Sequence, residues 1–308
     1  MRSIELILLI LLCTYCDRQS LNTIENIKTA RDAEYFIFQH LDWEQEDHFL
    51  PRNGQLVDIL RCEELKSFSS WDIADISDDG FEDLIANISD DDRIFPLVIL
   101  GSNSNDFELH SFWHESVDAC QLISVRDGLW KHELVFSREK PFYVDNDFTT
   151  KIVSSTLSYN YGGLIEACVP NQELSVEKIT FSTDMCFGTC PVFKVSIDKS
   201  NKAVLNAQKF NEDLNGIYYT QLNRKLYDEL IGLINCLNIQ SLDDNYAVNW
   251  TDDQTSILEV RFRGGDSKKI VDYGLQGTLG LKLLYSKLFD LRYSQEWKKL
   301  IIMVNYNS

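Results

Sequence analysis

The chain has 308 residues, 44% apolar and 25% charged, the balance of a globular protein and not of a disordered one. That length suits two domains of ordinary size. A formal net charge of −19 argues against a nucleic-acid surface, whose phosphates want Lys and Arg, and equally against a polybasic membrane patch. It fits a soluble surface, a cationic partner, or carboxylates gathered for a hard cation.

The N-terminus reads MRSIELILLILLCTYCDRQS. Arg2 gives a short positive start, Ile4 to Leu12 is apolar apart from Glu5, and Cys13 and Cys16 precede the polar DRQS. The run is shorter than the about 20 residues of a bilayer span but long enough for a signal-peptide core. A cysteine just after such a run resembles a bacterial lipoprotein signal, the alternatives being a plain cleaved signal or a buried N-terminal strand. The resemblance implies that residues 1–16 are a leader and that Cys16 is the lipidated residue. It places the protein in the bacterial cell envelope, facing the periplasm or the cell surface, with membrane contact only through the N-terminal lipid. In that oxidising setting Cys62, Cys120, Cys168, Cys186, Cys190 and Cys236 become disulfide candidates whose connectivity the sequence leaves open.

Residues 21–66 read as partly helical, with Ile24, Ile27, Ala30, Tyr35, Phe38 and Leu41 at loosely helical spacing. Short strand-like runs follow: SWDIADI, DLIANI, FPLVILG, FELHSFW, HELVFS and TKIVSSTLSY, separated by SDDG, SDDD and GSNSND. ACVPNQELS, 167–175, is the expected boundary. Beyond it ITFSTDMCF, VFKVSID and KAVLNAQKF read as strands, with KSNK a turn between the last two. LNRKLYDELIGLINCL sets Leu226, Leu230, Leu233, Ile234 and Leu237 on one helical face, with Asn223 as its N-cap. SILEVRF and SKKIVDYG form a hairpin across RGGD, and TLGLKLLYSKLFDLR is a second helix through Leu281, Leu284, Tyr285 and Leu288. The expected fold is two domains. Residues 21–169 form a mainly β domain with a leading helix; residues 176–300 form an α+β domain, an antiparallel sheet with two helices on one face.

DISDDGFEDL, 75–84, is the most specific chemical pattern. Asp75, Ser77, Asp79, the carbonyl of Phe81 and Asp83 fall on alternate positions of one short loop, and Gly80 permits its sharp turn. Calcium takes six to eight oxygen ligands, and a curled loop aims alternate residues at one point. Position 12 of the pattern is Ala86 and not Glu, so the loop is not an EF-hand. It resembles the shorter calcium loop of FG-GAP and VCBS-type β modules, D-x-[DN]-x-D-G-x-x-D-L. That resemblance extends over roughly 68–113, through PLVILGSNSNDFEL, and implies calcium as the cofactor. Ser77 departs from the usual Asp or Asn, which weakens the site; the alternative to calcium is an acidic turn shaped by Asx hydrogen bonds with no metal.

CFGTCPVF, 186–193, raises three readings: redox centre, half of a zinc site, or staple. A dithiol catalyst wants Cys-x-x-Cys at a helix N-terminus, whereas this spacing is longer and strand-flanked. Zinc would need Cys168 and Cys236 as well, because no histidine lies beyond His132. A local Cys186–Cys190 disulfide turning at Gly188 is favoured, with Cys168 or Cys236 as competing partners. MCFGTCPVFKVSI, NYAVNWTDDQT and KKIVDYGLQGTLGLKLLYSKLFDLR together resemble a bacterial domain-of-unknown-function family marked by C-x-G-x-C-P-x-[FY]. That family occurs on exported proteins and lipoproteins, especially of Bacteroidota, and the resemblance covers about 176–298. It implies export and a fold unit, but no activity.

LDDNYAVNWTDDQT, 242–255, holds Asp243, Asp244, Asp252 and Asp253, a second candidate cation loop if it is not simply solvated. Trp250 reads as core or loop anchor. No spacing assembles a catalytic set. The expected function is therefore a non-enzymatic binding or structural protein of the envelope, with an envelope ligand or protein as partner and no nucleic acid. The alternatives are an envelope carbohydrate hydrolase using a carboxylate pair, or a thiol-disulfide protein using Cys186 and Cys190.

Overall fold

The structure, a computed structural model, describes residues 23–40, 55–56, 69–90, 93–103, 107–112, 121–128, 132–144, 147–168, 173–248 and 250–300, with residues 55, 90, 93, 139–144 and 147–150 described by their backbone alone. Cys16, Cys62 and Cys120 lie outside the described residues. The chain is mainly β, with three α-helices among the described residues, and divides into two compact units, Met1–Asn160 and Tyr161–Ser308. No described helix is long and apolar enough to cross a membrane.

In the N-terminal unit, a 3₁₀ turn (Ile24–Asn26) leads into helix α1 (Ala30–His40). The helix starts where Thr29 and Asp32 cap each other: the Thr29 hydroxyl accepts from Asp32 N, and the Asp32 carboxylate accepts from Thr29 N. Its buried Ala33, Phe36 and Ile37 pack on Leu84, Ala86, Ile88, Leu97 and Ile99 of a sheet. That sheet runs β1 (Gln55–Leu56), β3 (Asp83–Asp90), β4 (Arg93–Leu100), β5 (Glu108–Ser111), with β2 (Trp71–Ala74) also pairing with β3. On the other face of β3, Asn87 is buried, and its side chain both accepts from and donates to the Ile123 backbone at 2.8 Å. This amide serves as a rung between β3 and β6 (Gln121–Asp127). Strands β6, β7 (His132–Val144) and β8 (Asp147–Asn160) form an antiparallel meander.

In the C-terminal unit, β9 (Gly163–Glu166) precedes an eight-stranded sheet in the order β14-β16-β15-β10-β11-β12-β13-β17. Its strands are β10 (Val176–Thr183), β11 (Val192–Asp198), β12 (Lys202–Lys209), β13 (Gly216–Gln221), β14 (Asn245–Ala247), β15 (Thr255–Phe262), β16 (Ser267–Tyr273) and β17 (Lys298–Lys299). The RGGD hairpin joins β15 to β16, with Gly264 and Gly265 at φ of 104° and 99°. Neighbours are antiparallel except β14, which runs parallel to β16. That exception to an antiparallel sheet arises because β14 enters at the edge beyond β16 instead of extending the hairpin.

Helix α2 (Arg224–Cys236) is capped by the Asn223 side chain, which accepts from Lys225 N. Helix α3 (Leu279–Ser294) is capped by Thr278. Leu230, Leu233 and Ile234 of α2 and Leu281, Leu284, Tyr285 and Leu288 of α3 join the alternate strand residues Ile179, Phe181, Val195, Leu205, Leu258 and Ile270 in one core. At its centre Phe181 stacks on Tyr285, centroids 5.4 Å apart, each aromatic contributing about 2–3 kcal/mol by burial.

Candidate functional site

The acidic loop joins β2 to β3 and is shaped by carboxylates accepting from its own backbone. Asp75 accepts from Asp79 N at 3.2 Å and Gly80 N at 2.9 Å, and Asp79 accepts from Phe81 N at 2.9 Å. Asp78 and Gly80 take φ of 61° and 89°, a conformation that Gly and Asp enter most readily. Asp83 closes the loop from the first residue of β3. It is fully buried; one carboxylate oxygen accepts from Ile76 N (2.7 Å) and Ser77 N (3.0 Å), the other from Gly101 N (2.9 Å).

Gly101, after β4, is a residue whose role the sequence reading missed. A Cβ there would lie 2.3 Å from the Glu82 carbonyl oxygen, so only glycine lets this backbone come close enough to bond Asp83. The quoted run PLVILG contains it, but the need for glycine depends on Glu82, which is distant in the chain.

The field in this loop is negative. Burial pushes the Asp83 carboxyl above the usual aspartate range, the N–H groups of Gly101, Ser77 and Ile76 pull it back, and the Asp75 charge raises it further. The Tyr159 hydroxyl is raised first by burial and then by the charges of Glu108, Asp79 and Asp83. The Ser77 hydroxyl is buried without a hydrogen-bond partner. A buried hydroxyl with nothing to bond is costly, and at position 3 of the loop it is a spare hard oxygen donor. Among the described residues no three His, Cys, Asp or Glu side chains converge closely enough to hold a metal. The donor set, one exposed carboxylate (Asp79), one half-buried (Asp75) and one buried (Asp83), an unpartnered hydroxyl and a backbone carbonyl, fits a hard cation chemically, since each carboxylate oxygen keeps a second lone pair.

Cys186 and Cys190 form a disulfide with Cα atoms 5.7 Å apart, between β10 and β11. Cys168 and Cys236 form another, Cα atoms 4.4 Å apart, so the cysteines a zinc site would have needed are consumed pairwise. The small ring is clamped at its base. Buried Gln254 donates to the carbonyls of Asp184 (2.8 Å) and Pro191 (2.9 Å), and the Thr183 hydroxyl donates to Pro191 O at 2.6 Å. Phe187 N donates to Asp252 O at 3.0 Å. Gln254→Ala removes both amide donors and is expected to destabilise the C-terminal unit by about 1–3 kcal/mol, read by urea denaturation; a loss below about 0.5 kcal/mol would contradict this reading of the clamp.

The second acidic loop is dispersed. Asp244 pairs with Lys268 at 2.5 Å, Asp253 accepts from Trp250 Nε1 at 3.0 Å, and Asp252 accepts from the Thr251 hydroxyl at 3.3 Å. Trp250 is thus a loop anchor. Two buried or half-buried carboxylates that the sequence did not single out instead organise the start of α3. Asp272 accepts from Gln276 N and Gly277 N, and burial pushes its carboxyl up. Glu166 accepts from Leu279 N and Gly280 N, both at 2.9 Å, placing a charge at the helix N-terminus where the dipole favours it.

Residues 177–292 match the family described as a domain of unknown function (DUF6438). No curated protein and no solved structure matches the chain.

Proposed function

We propose that this is an exported, lipid-anchored, non-enzymatic binding or structural protein of the bacterial envelope, whose N-terminal β domain is stiffened by calcium. Asp75, Ser77, Asp79, the Phe81 carbonyl and Asp83 would hold the ion, as in the FG-GAP-like loop they resemble. The observation that carries the reading is the buried, unpartnered Ser77 hydroxyl among carboxylates, where Asp83 and Tyr159 are raised first by burial and further by the neighbouring negative charges. Bound calcium supplies a fixed positive charge that offsets this repulsion. The loop's own N–H groups orient Asp75 and Asp83, and binding would draw the carboxylates, which do not converge by themselves, in around the ion. Export is supported by the signal-like apolar run Ile4–Leu12 ahead of Cys16 and by two disulfides of the kind that persist in oxidising compartments.

Thermal melting in calcium and in chelator tests the metal reading. Calcium at one hundred times its Kd is expected to add about 2.7 kcal/mol to the stability of the wild-type chain and nothing to Asp79→Ala. Asp79 suits the test because it is exposed and holds a single backbone bond, so its loss leaves the fold intact. Equal melting shifts in both proteins would sink the assignment. Membrane fractionation tests the anchor: Cys16→Ser is expected to move the protein from the membrane pellet to the soluble fraction.

A further inference from the structure

An open groove of about 760 Å³ runs over β12, β13 and the segment after α3. That volume lies within the range of about 300–1,000 Å³ typical of small-molecule sites. Its floor includes Val204 and Tyr219, paired across β12 and β13. Leu205 and Tyr218, their neighbours along the strands, are buried in the core. The strand alternation therefore turns Val204 and Tyr219 outward, and they are 45% and 46% exposed.

Three carboxamides line the same groove, Gln221, Asn223 and Gln295, and each is held by one end. Gln221 Nε2 donates to Ser200 O at 2.6 Å, Asn223 Oδ1 accepts from Lys225 N at 2.8 Å, and Gln295 Nε2 donates to Ser294 O at 2.8 Å. Among the described residues the other ends, Oε1 of Gln221 and Gln295 and Nδ2 of Asn223, have no partner. A carboxamide fixed at one end offers the other at a set position, so two acceptors and a donor group stand ready with little ordering cost. Lys202, Lys298 and Glu296 are on the lining too, so no single sign of charge defines the occupant.

We infer that this groove binds a neutral oligosaccharide. A pyranose ring carries hydroxyls that both donate and accept around its edge, and an apolar C–H face. The groove matches both, with amide acceptors and donors beside an outward aromatic ring. An acyl chain or apolar peptide would cover the free amide ends without pairing them, and an anion would meet Glu296. The inference rests on the reading of this chain as a binding protein and names the class of its ligand; it needs neither calcium nor the lipid.

Calorimetric titration of the full chain carrying Cys16→Ser with cellohexaose and with chitohexaose tests it. Chitohexaose stands for the N-acetylated glycan of a cell wall and cellohexaose for an unsubstituted glucan, so the preferred probe points to the source. The expected result is saturable binding of at least one of them, weakened about ten-fold by Tyr219→Ala and also by Gln221→Ala with Gln295→Ala. Unchanged urea denaturation checks that each variant keeps its fold, and the glutamine pair keeps the test decisive if Tyr219→Ala disturbs the sheet. Asp79→Ala is expected to bind sugar as the wild-type chain does, because its loop belongs to the other unit. No binding of either sugar overturns the inference and leaves the calcium and membrane-anchor readings to their own tests at Asp79 and Cys16. Binding undiminished in either folded groove variant places the sugar elsewhere and overturns it as well. Binding followed by shortening of the hexamer, read by mass spectrometry, upholds the groove and overturns the non-enzymatic reading instead.

Discussion

Replacing Cys168 and Cys236 together by alanine is expected to lower the stability of the C-terminal unit by about 4 kcal/mol, the loop-entropy value for a closure of this length. The bond spans a sequence separation of 68 and ties the chain beyond β9 to the last turn of α2, where Cys236 is buried in the core. Asn235 adds a tether by accepting from Leu174 N at 3.0 Å. Unfolded, the oxidised chain is denied the conformations in which these points separate; without the bond it regains them. The Cys186–Cys190 ring, with a separation of 4, restricts far less of the unfolded chain, and its removal is expected to cost about 2 kcal/mol. Urea denaturation of the two double variants gives the order. If the small ring proves the more costly to remove, the division of labour drawn here, one bond for stability and one for local shape, is wrong.

Asp83→Asn is expected to destabilise the N-terminal unit by about 3 kcal/mol and to abolish calcium binding. The change looks conservative, yet all the partners of this side chain are donors: Ile76 N and Ser77 N on one oxygen, Gly101 N on the other. An amide offers one acceptor oxygen, and its NH₂ group must then face an N–H in a buried site. Asp83→Ala leaves all of these donors unsatisfied and should cost at least as much. Gly101→Ala tests the same joint from the other side, since its Cβ would meet the Glu82 carbonyl at 2.3 Å. Circular-dichroism melts of the three variants are the check. An Asp83→Asn protein as stable as wild type would show that these bonds do not organise the loop.

Local patterns carried much of this fold. The helix faces through Leu230, Leu233 and Ile234 and through Leu281, Leu284 and Leu288 are buried as their spacing required, and Asn223 caps α2. The strand β13, GIYYTQ, went unread because its adjacent tyrosines mask the alternation: Tyr218 is buried and Tyr219 is exposed. The short strands β14 and β17 exist only through pairing with β16 and β13, which no local signal announces. The compact units divide between Asn160 and Tyr161, with Ile165 in the second core and Glu166 accepting from the first N–H groups of α3. At the acidic loop, the alternate spacing of Asp75, Ser77, Asp79 and Asp83 was legible, but the contribution of Gly101 was not. Two cysteine partners at 168 and 236 also needed three dimensions: either could have bonded the 186–190 pair on sequence alone.

Protonation adds a sign to the calcium claim. Burial holds the Asp83 carboxyl above its unfolded pKa, so without calcium its contribution to stability is present at low pH and is lost as pH rises through the folded value. Calcium binds the ionised form, so its affinity should rise with pH over that same range, with proton release on binding. Calorimetric titration of the full chain with calcium at two pH values spanning the carboxylate range, beside Asp79→Ala, is the most direct measurement. The account predicts one calcium per chain, tighter at the higher pH and absent from the variant. No heat of binding in the wild-type chain, or binding that Asp79→Ala leaves intact, would contradict it and make residues 75–83 an acidic turn held by its own backbone.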